Sequence, residues 1–144
     1  MTATLAQIRL KRAYDPPQKE DGARVLVDRL WPRGLTKEAV RVATWLRGLS
    51  PSNELRKWFH AHFEQCREFR RKYLLELQSP AAAQDLEKLH ELRSANRTVT
   101  LVFASKQLEC NNASVLKEFV ERKWRTGGKA APKKARPNRI ITSS

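Results

Sequence analysis

The stretch that decides the fold is TVTLVFASKQLECNNASVLKEFV, residues 98–120. Its first six residues are β-branched or apolar and predict a buried strand, and apolar residues then recur at helical spacing over 115–120. Asn111 or Asn112 can cap that helix, because an asparagine side chain accepts a hydrogen bond from a first-turn N–H. A buried strand that leads into a helix is typical of an α/β fold.

Two more strands are predicted towards the N-terminus. Residues 4–11 alternate between apolar and polar side chains, which is typical of a half-buried strand. Residues 23–29 contain three successive apolar residues, Val25 to Val27, which favour a strand covered on both faces. The connection between the two strands is about a dozen residues long, which is marginal for a helical crossover. This pair can therefore be antiparallel.

The middle of the chain predicts two helices. Ser50-Pro51 is a start signal, with serine as the cap and proline in the first position, and apolar residues then recur every three to four positions as far as Leu77. This pattern predicts one long amphipathic helix. Ser79-Pro80 ends it and begins the next helix.

Residues 37–49 fit either a strand or a helix, and Thr36 can cap a short helical turn at their start. With this segment left open, the order is strand, strand, two helices, strand, helix. That order predicts a small single-domain α/β three-layer sandwich, with a mainly parallel or mixed sheet of roughly three to five strands and helices on its faces.

Composition favours a basic protein with anionic partners. The chain has 144 residues, and its 29 Lys and Arg against 15 Asp and Glu give a net charge of +14. Such an excess favours nucleic acid, phosphates or another anionic surface as partner. No apolar run approaches the roughly 18 residues that cross a bilayer, and no secretory signal begins the chain. We therefore expect a cytoplasmic protein with no membrane partner.

The charge is concentrated near the C-terminus. Residues 125–144 hold six basic residues and no acidic one, which leaves +8 for residues 1–124. Glycine, proline and few apolar residues make this segment typical of a disordered basic tail beside a folded domain, residues 1–124. The tail can bind nucleic acid without sequence preference, through the phosphates.

Cys66 and Cys110 are expected to be unpaired. Two cysteines make neither a disulfide framework nor a zinc site, and a reducing compartment suits them. Cys66 falls on the apolar stripe of the long helix and is interpreted as a core residue. Cys110 precedes a helix near a lysine, where a thiol can become nucleophilic, but a small packing residue is favoured because no histidine lies nearby in sequence. No metal-ligand spacing occurs, so neither metal nor cofactor is predicted.

The candidate ligand site lies where two predicted strands end, because ligands of open α/β sheets bind beyond the carboxyl ends of the strands. Arginine forks and a lysine there suit a phosphate or carboxylate, and the following helix N-terminus favours an anion. Asp28 is a candidate base; alternatively it pairs with a neighbouring arginine, and Lys106 is merely solvated. The candidates are Asp28, Arg29, Trp31, Arg33, Lys106 and Asn111.

Six basic residues lie on the polar side of the predicted long helix. Such a run is usually a solvated face, although together with the basic tail it can follow a nucleic-acid backbone. These residues are Arg56, Lys57, Arg67, Arg70, Arg71 and Lys72.

Four blocks of the chain resemble the YeaO-like family of small bacterial proteins, catalogued as a domain of unknown function. The blocks are IRLKRAYDPPQKEDGARVLVDRLWPRGLTKE, WLRGLSPSNELRKWF, EFRRKYLLEL and VTLVFASK. The resemblance spans roughly residues 7–122, and VLVDRLWPRGL is its most specific part. It implies a bacterial cytoplasmic α/β protein and implies no activity. The site candidates that match the family pattern are Asp28, Arg29, Trp31, Arg33 and Lys106.

The chain departs from the family pattern at three places. Gln107 stands where similar proteins usually carry an aspartate, Cys110-Asn111 stands where they tend to have His-Asn, and HAHF, residues 60–63, stands where many have Gly-His-Asp-Pro. Two polar groups that a common reaction would use are thus altered.

Three hypotheses follow. The first is a protein that binds an anionic ligand (a phosphate-containing small molecule, a nucleotide or nucleic acid) at the strand ends. The second is an enzyme acting on a phosphorylated or nucleotide substrate, with Asp28 as base and Arg29, Arg33 and Lys106 holding the anion. The third is an interaction module whose basic surface binds an acidic partner. Charge favours the first and third, and the clustered Asp, Arg and Lys favour the second.

Overall fold

A four-stranded parallel sheet forms the centre of the fold. The computed structural model describes residues 5–124. The strand order across the sheet is β1-β4-β2-β3. The strands are β1 (Gln7–Arg12), β2 (Ala23–Leu26), β3 (Thr44–Trp45) and β4 (Thr98–Phe103). The α/β class and the mainly parallel or mixed sheet of three to five strands predicted from the sequence are confirmed, and the pairs among residues 5–124 are all parallel.

The antiparallel pairing considered for the first two strands is wrong. Strand β4 lies between β1 and β2 and pairs with both in parallel, with Leu101 opposite Leu10 on one side and Val25 on the other. The short connection from β1 to β2 therefore runs along β4 from its carboxyl end, at Phe103, to its amino end, at Thr98, and includes a 3-10 turn, Lys19–Asp21. Gly22 completes it with φ of 64°, where a Cβ would collide with the carbonyl oxygen of Thr98.

Five helices surround the sheet in the described part of the chain. They are α1 (Lys37–Val40), α2 (Asn53–Ala61), α3 (Cys66–Leu77), α4 (Pro80–Ala95) and α5 (Asn112–Lys123). Asn111 caps α5 by accepting a hydrogen bond from the N–H of Ser114 at 2.8 Å. Thr36 caps α1 in the same way, through the N–H of Ala39 at 3.1 Å. Both sequence-based caps are confirmed.

The single long helix predicted from Ser50 is wrong in two respects. The chain forms two helices, α2 and α3, because α2 ends at Ala61 and the chain turns before Cys66. His62 stabilises the break, since its Nδ1 lies 2.8 Å from the carbonyl oxygen of Trp58. The cap of α2 is Ser52, two residues beyond the predicted start.

The segment left open between strand and helix contains both. Residues 37–40 form α1, residues 44–45 form the edge strand β3, and a 3-10 turn covers Arg47–Leu49. Mixed periodicity in this segment therefore reflects several short elements rather than one.

The core is divided between the two faces of the sheet. Val25 and Leu101 belong to the larger cluster, under α2 to α5, whereas Leu26 and Val102 belong to a smaller cluster with Val40 of α1. This alternation within β2 and β4 explains their continuous apolar sequences.

No helix within residues 5–124 is both long and apolar enough to cross a membrane. The basic tail predicted at residues 125–144 lies outside the described residues.

Ser52 gives a test of how α2 is positioned. Its Oγ accepts a hydrogen bond from the N–H of Leu55 at 3.1 Å and donates one to Glu76 of α3 at 2.6 Å. We expect Ser52→Ala to lower the free energy of unfolding by about 1 kcal/mol, since the helix loses its cap. Urea unfolding measures the change. Ser94→Ala, at an exposed serine near the end of α4, is the control; equal stabilities of the two variants would contradict the capping role.

Candidate functional site

A cavity of about 540 Å³ opens at the carboxyl ends of β2 and β4. Parallel strands end at the same edge of a sheet, so the segments that follow them meet there. Segment 28–33, segment 104–112 and the beginning and end of α2 form its walls. All six residues proposed from the sequence line this cavity: Asp28, Arg29, Trp31, Arg33, Lys106 and Asn111.

Asp28 connects the ends of the two strands. One carboxylate oxygen accepts a hydrogen bond from the backbone N–H of Ala104 at 2.8 Å, and the other accepts one from Nδ2 of Asn112 at 2.9 Å. Burial raises the pKa of Asp28, and these two hydrogen bonds offset part of that effect. No arginine pairs with Asp28 within residues 5–124. Asp28 therefore holds β2, β4 and α5 in register around the cavity.

Two arginines follow Asp28 in different environments. Arg29 is partly buried, and its Nε donates a hydrogen bond to the carbonyl oxygen of Pro51 at 3.0 Å, which fixes the guanidinium against the cavity wall. Arg33 is exposed, while its backbone carbonyl accepts a hydrogen bond from the hydroxyl of Tyr14 at 2.9 Å. The Arg33 backbone is thus anchored, and its side chain is free to reach a ligand.

Trp31 is a packed residue that also lines the cavity. Its Nε1 donates a hydrogen bond to the carbonyl oxygen of Leu35 at 2.6 Å. Its ring meets that of Trp45 edge-on, with centroids 5.5 Å apart. Trp31 therefore gives the cavity a fixed apolar surface, and its only ring donor is already used.

The loop after β4 carries Lys106 and Asn111. Arg12 of β1 anchors the loop by donating hydrogen bonds to the carbonyl oxygens of Ala104 and Ser105, each at 3.1 Å. Lys106 is exposed at the cavity. Asn111 is buried, caps α5 and donates from Nδ2 to the carbonyl oxygen of Gln107 at 2.7 Å. The Asn111 side chain thus shapes the loop, whereas Lys106 remains available.

Arg56 is a cavity residue that the sequence-based interpretation placed on a solvated helix face. It lies on α2, is partly buried and lines the cavity. Its Nε is buried and has no hydrogen-bond partner within residues 5–124. The break between α2 and α3 separates Arg56 from the basic residues farther along, of which Arg70 pairs with Glu118 and Arg71 with Glu68. No local sequence signal marks that break.

The charge of the cavity lining is strongly positive. Among residues 5–124, four basic residues (Arg29, Arg33, Arg56 and Lys106) and a single acidic one, Asp28, line the cavity, a formal difference of +3. None of the four forms a salt bridge with another of residues 5–124. Cations that face a cavity without acidic partners attract an anion there.

The expectation of two unpaired cysteines is wrong. Cys66 and Cys110 form a disulfide, with their Cα atoms 6.2 Å apart. Cys66 is the first residue of α3 and is only partly buried, and Cys110 lies directly before the cap of α5. The break after α2 brings the start of α3 beside the loop that follows β4. The disulfide leaves no free Cys110 thiol to act as a nucleophile.

Similar proteins occur in several bacteria. The chain matches the family described as "Inactive DUF488-N3 subclade" over residues 7–138. It is 38% identical over 113 residues to the uncharacterized protein YeaO of Escherichia coli K12, covering 78% of this chain and 96% of that protein. It is also 38% identical over 114 residues to the uncharacterized protein Rv3073c of Mycobacterium tuberculosis H37Rv, covering 79% of this chain and 93% of that protein. No solved structure matches this chain.

Proposed function

This chain belongs to the YeaO-like family, described as the inactive DUF488-N3 subclade, and we propose that it binds a phosphate-containing anion in the strand-end cavity. The observation that carries the proposal is the set of four cations that line the cavity without acidic partners among residues 5–124. Two of them, Arg29 and Arg56, are partly buried.

Partial burial favours a specific anion site over diffuse attraction. An arginine that is partly removed from water forms stronger charge-assisted hydrogen bonds than one in open solvent. Arg56 lines the cavity, so an anion bound there would meet its guanidinium, and Arg33 and Lys106 at the rim would hold the outer side of the anion.

The site favours binding over catalysis. A general base must take up a proton during the reaction. Asp28 is the one carboxylate among the described residues that line the cavity, and both of its oxygens hold the fold together through Ala104 and Asn112, so protonation would weaken those hydrogen bonds. The word "inactive" in the description of the family agrees with a site that holds a ligand without transforming it.

Exposed cations give the sharpest test of this proposal. We expect Arg33→Ala and Lys106→Ala each to weaken binding of inorganic phosphate by about tenfold or more, since each removes one charge-assisted contact. Both side chains are exposed, so the fold should tolerate their removal. Isothermal titration calorimetry of the full chain at low ionic strength measures the affinity.

Matched controls come from the opposite end of the sheet. Lys19 and Arg97 are exposed cations that precede β2 and β4 and do not line the cavity. Lys19→Ala and Arg97→Ala change the net charge equally, so they report a nonspecific effect of charge. If they weaken phosphate binding as much as Arg33→Ala and Lys106→Ala, binding does not occur in the cavity and the proposal is wrong.

A further inference from the structure

The rim of the cavity concentrates exposed apolar side chains. Five large apolar residues are exposed within residues 5–124, and three of them, Tyr14, Leu30 and Phe63, line this one cavity. Phe63 is 40% exposed and Tyr14 43%. Exposed apolar surface gathered around a concave site is typical of a binding site and rare elsewhere on a monomer.

One wall of the cavity is an ordered group of aromatic rings. Phe59 of α2 stacks on Phe69 of α3, with centroids 4.0 Å apart and the planes 9° from parallel. Phe63 meets Phe59 edge-on, with centroids 5.2 Å apart. Phe59 and Phe69 are buried, whereas Phe63 remains open to the cavity mouth. The break between α2 and α3 thus places a free aromatic ring beside the four cations.

We propose that the anion bound in this cavity carries its charged group on a planar aromatic ring. The proposal rests on the anion site proposed above and names the chemical class of its ligand. A bare inorganic anion would engage the cations and leave the aromatic wall in water, in a cavity of about 540 Å³. A ring would cover Phe63 and Trp31 while its phosphate or carboxylate meets the arginines. Aromatic pairs gain energy beyond the area that they bury, and guanidinium planes also stack on rings.

The size and composition of the cavity agree with this class. Small-molecule sites usually enclose about 300–1,000 Å³ and combine an apolar lining with a few polar groups. Here the apolar lining is aromatic on α2 and α3, and four of the polar residues are Arg or Lys. Because the site is concave, a small molecule fits it better than the flat surface of a partner protein does.

Three probes that share a phosphate test the proposal: phenyl phosphate, cyclohexyl phosphate and inorganic phosphate. We expect the full chain to bind phenyl phosphate at least about tenfold more tightly than inorganic phosphate, and about threefold to tenfold more tightly than cyclohexyl phosphate. Calorimetry measures all three affinities. Equal affinity for phenyl and cyclohexyl phosphate would overturn the aromatic preference.

The remaining outcomes separate the two proposals. If inorganic phosphate binds through Arg33 and Lys106 but phenyl phosphate binds no more tightly, the anion site stands and the aromatic ligand is wrong. If none of the three probes binds, the anion site itself fails, and the aromatic proposal fails with it.

A pair of exposed apolar residues supplies matched variants. We expect Phe63→Ala to lower the ratio of phenyl phosphate affinity to inorganic phosphate affinity by about fivefold, because the open ring is lost. Leu75→Ala removes an exposed apolar side chain of α3 that does not line the cavity, and should leave both affinities unchanged. An unchanged ratio in Phe63→Ala would overturn the proposal.

Discussion

Replacing Cys66 with serine is expected to lower the free energy of unfolding by about 4 kcal/mol. The disulfide joins residues 44 positions apart, and removing a link of that length returns conformational entropy to the unfolded chain. Cys110→Ser should cost the same, and the double variant no more than either single variant, because all three remove the same bond. Chemical unfolding without reductant measures these changes.

Reduction of the wild-type chain supplies the control. A thiol reductant should lower the stability of the wild type to that of the serine variants and leave the variants unchanged. Thiol titration of the unfolded, unreduced wild type should find no free thiol. Two free thiols, together with a stability that does not respond to reductant, would contradict the disulfide.

The disulfide also restrains a loop that lines the cavity. Cys110 lies at the end of the loop that carries Lys106, and hydrogen bonds with Arg12, Asp28 and Asn111 also anchor that loop. Reduction should therefore increase hydrogen exchange at the backbone amides of 105–109 more than at those of β4.

Asp28→Ala is expected to lower the free energy of unfolding by about 3 kcal/mol. The substitution leaves the N–H of Ala104 and the side-chain amide of Asn112 without the acceptor that each has in the wild type. A buried donor without an acceptor has lost its hydrogen bonds to water and gains none in the protein, and this loss accounts for most of the expected destabilisation. Asp15→Ala, at an exposed aspartate in the loop after β1, is the control and should be nearly neutral. Equal stability of the two variants would show that Asp28 does not connect the strands.

The titration of Asp28 should make the free energy of unfolding depend on pH in a definite direction. Burial raises its folded-state pKa above the ordinary value of 3.8, so the folded state holds the proton more tightly than the unfolded state. The resulting stabilisation is complete below pH 3.8 and is lost as pH rises through the raised pKa. The stability of the wild type relative to Asp28→Asn should therefore fall over that interval. A relative stability that rises over the same interval would contradict the raised pKa.

Local signals in the sequence predicted most of the secondary structure. The strand at 98–103, the cap at Asn111 and the helix that follows depend on neighbouring residues only, and they form as expected. The order of strands in the sheet is not local. Placing β4 between β1 and β2 brings together residues more than 70 positions apart, which no spacing within either strand indicates.

The break between α2 and α3 explains most of the site features that the sequence did not predict. It contains neither glycine nor proline, and the apolar periodicity continues across it because both helices pack on the same core. Without the break, Arg56 lies on a solvated stripe and Cys66 faces the core. With it, Arg56 lines the cavity and Cys66 meets Cys110.

The site residues at the strand ends could be predicted from the sequence because of a general property of parallel sheets. The carboxyl ends of parallel strands lie along the same edge of a sheet whatever their order, so the sequence places Asp28, Arg33 and Lys106 at one edge, and the pairing of β2 with β4 brings them to one cavity. Their separate roles depend on contacts. Hydrogen bonds to Ala104 and Asn112 give Asp28 its connecting role, whereas Arg33 and Lys106 remain exposed.

Residue-resolved NMR of the full chain during titration with inorganic phosphate tests the proposed anion site most directly. We predict that the backbone amide shifts that saturate with phosphate fall in residues 28–33, 56–63 and 104–112, which surround the cavity. Shifts confined to the basic residues of 125–144, or spread over exposed cations such as Lys19 and Arg97, would contradict an anion site at the strand ends.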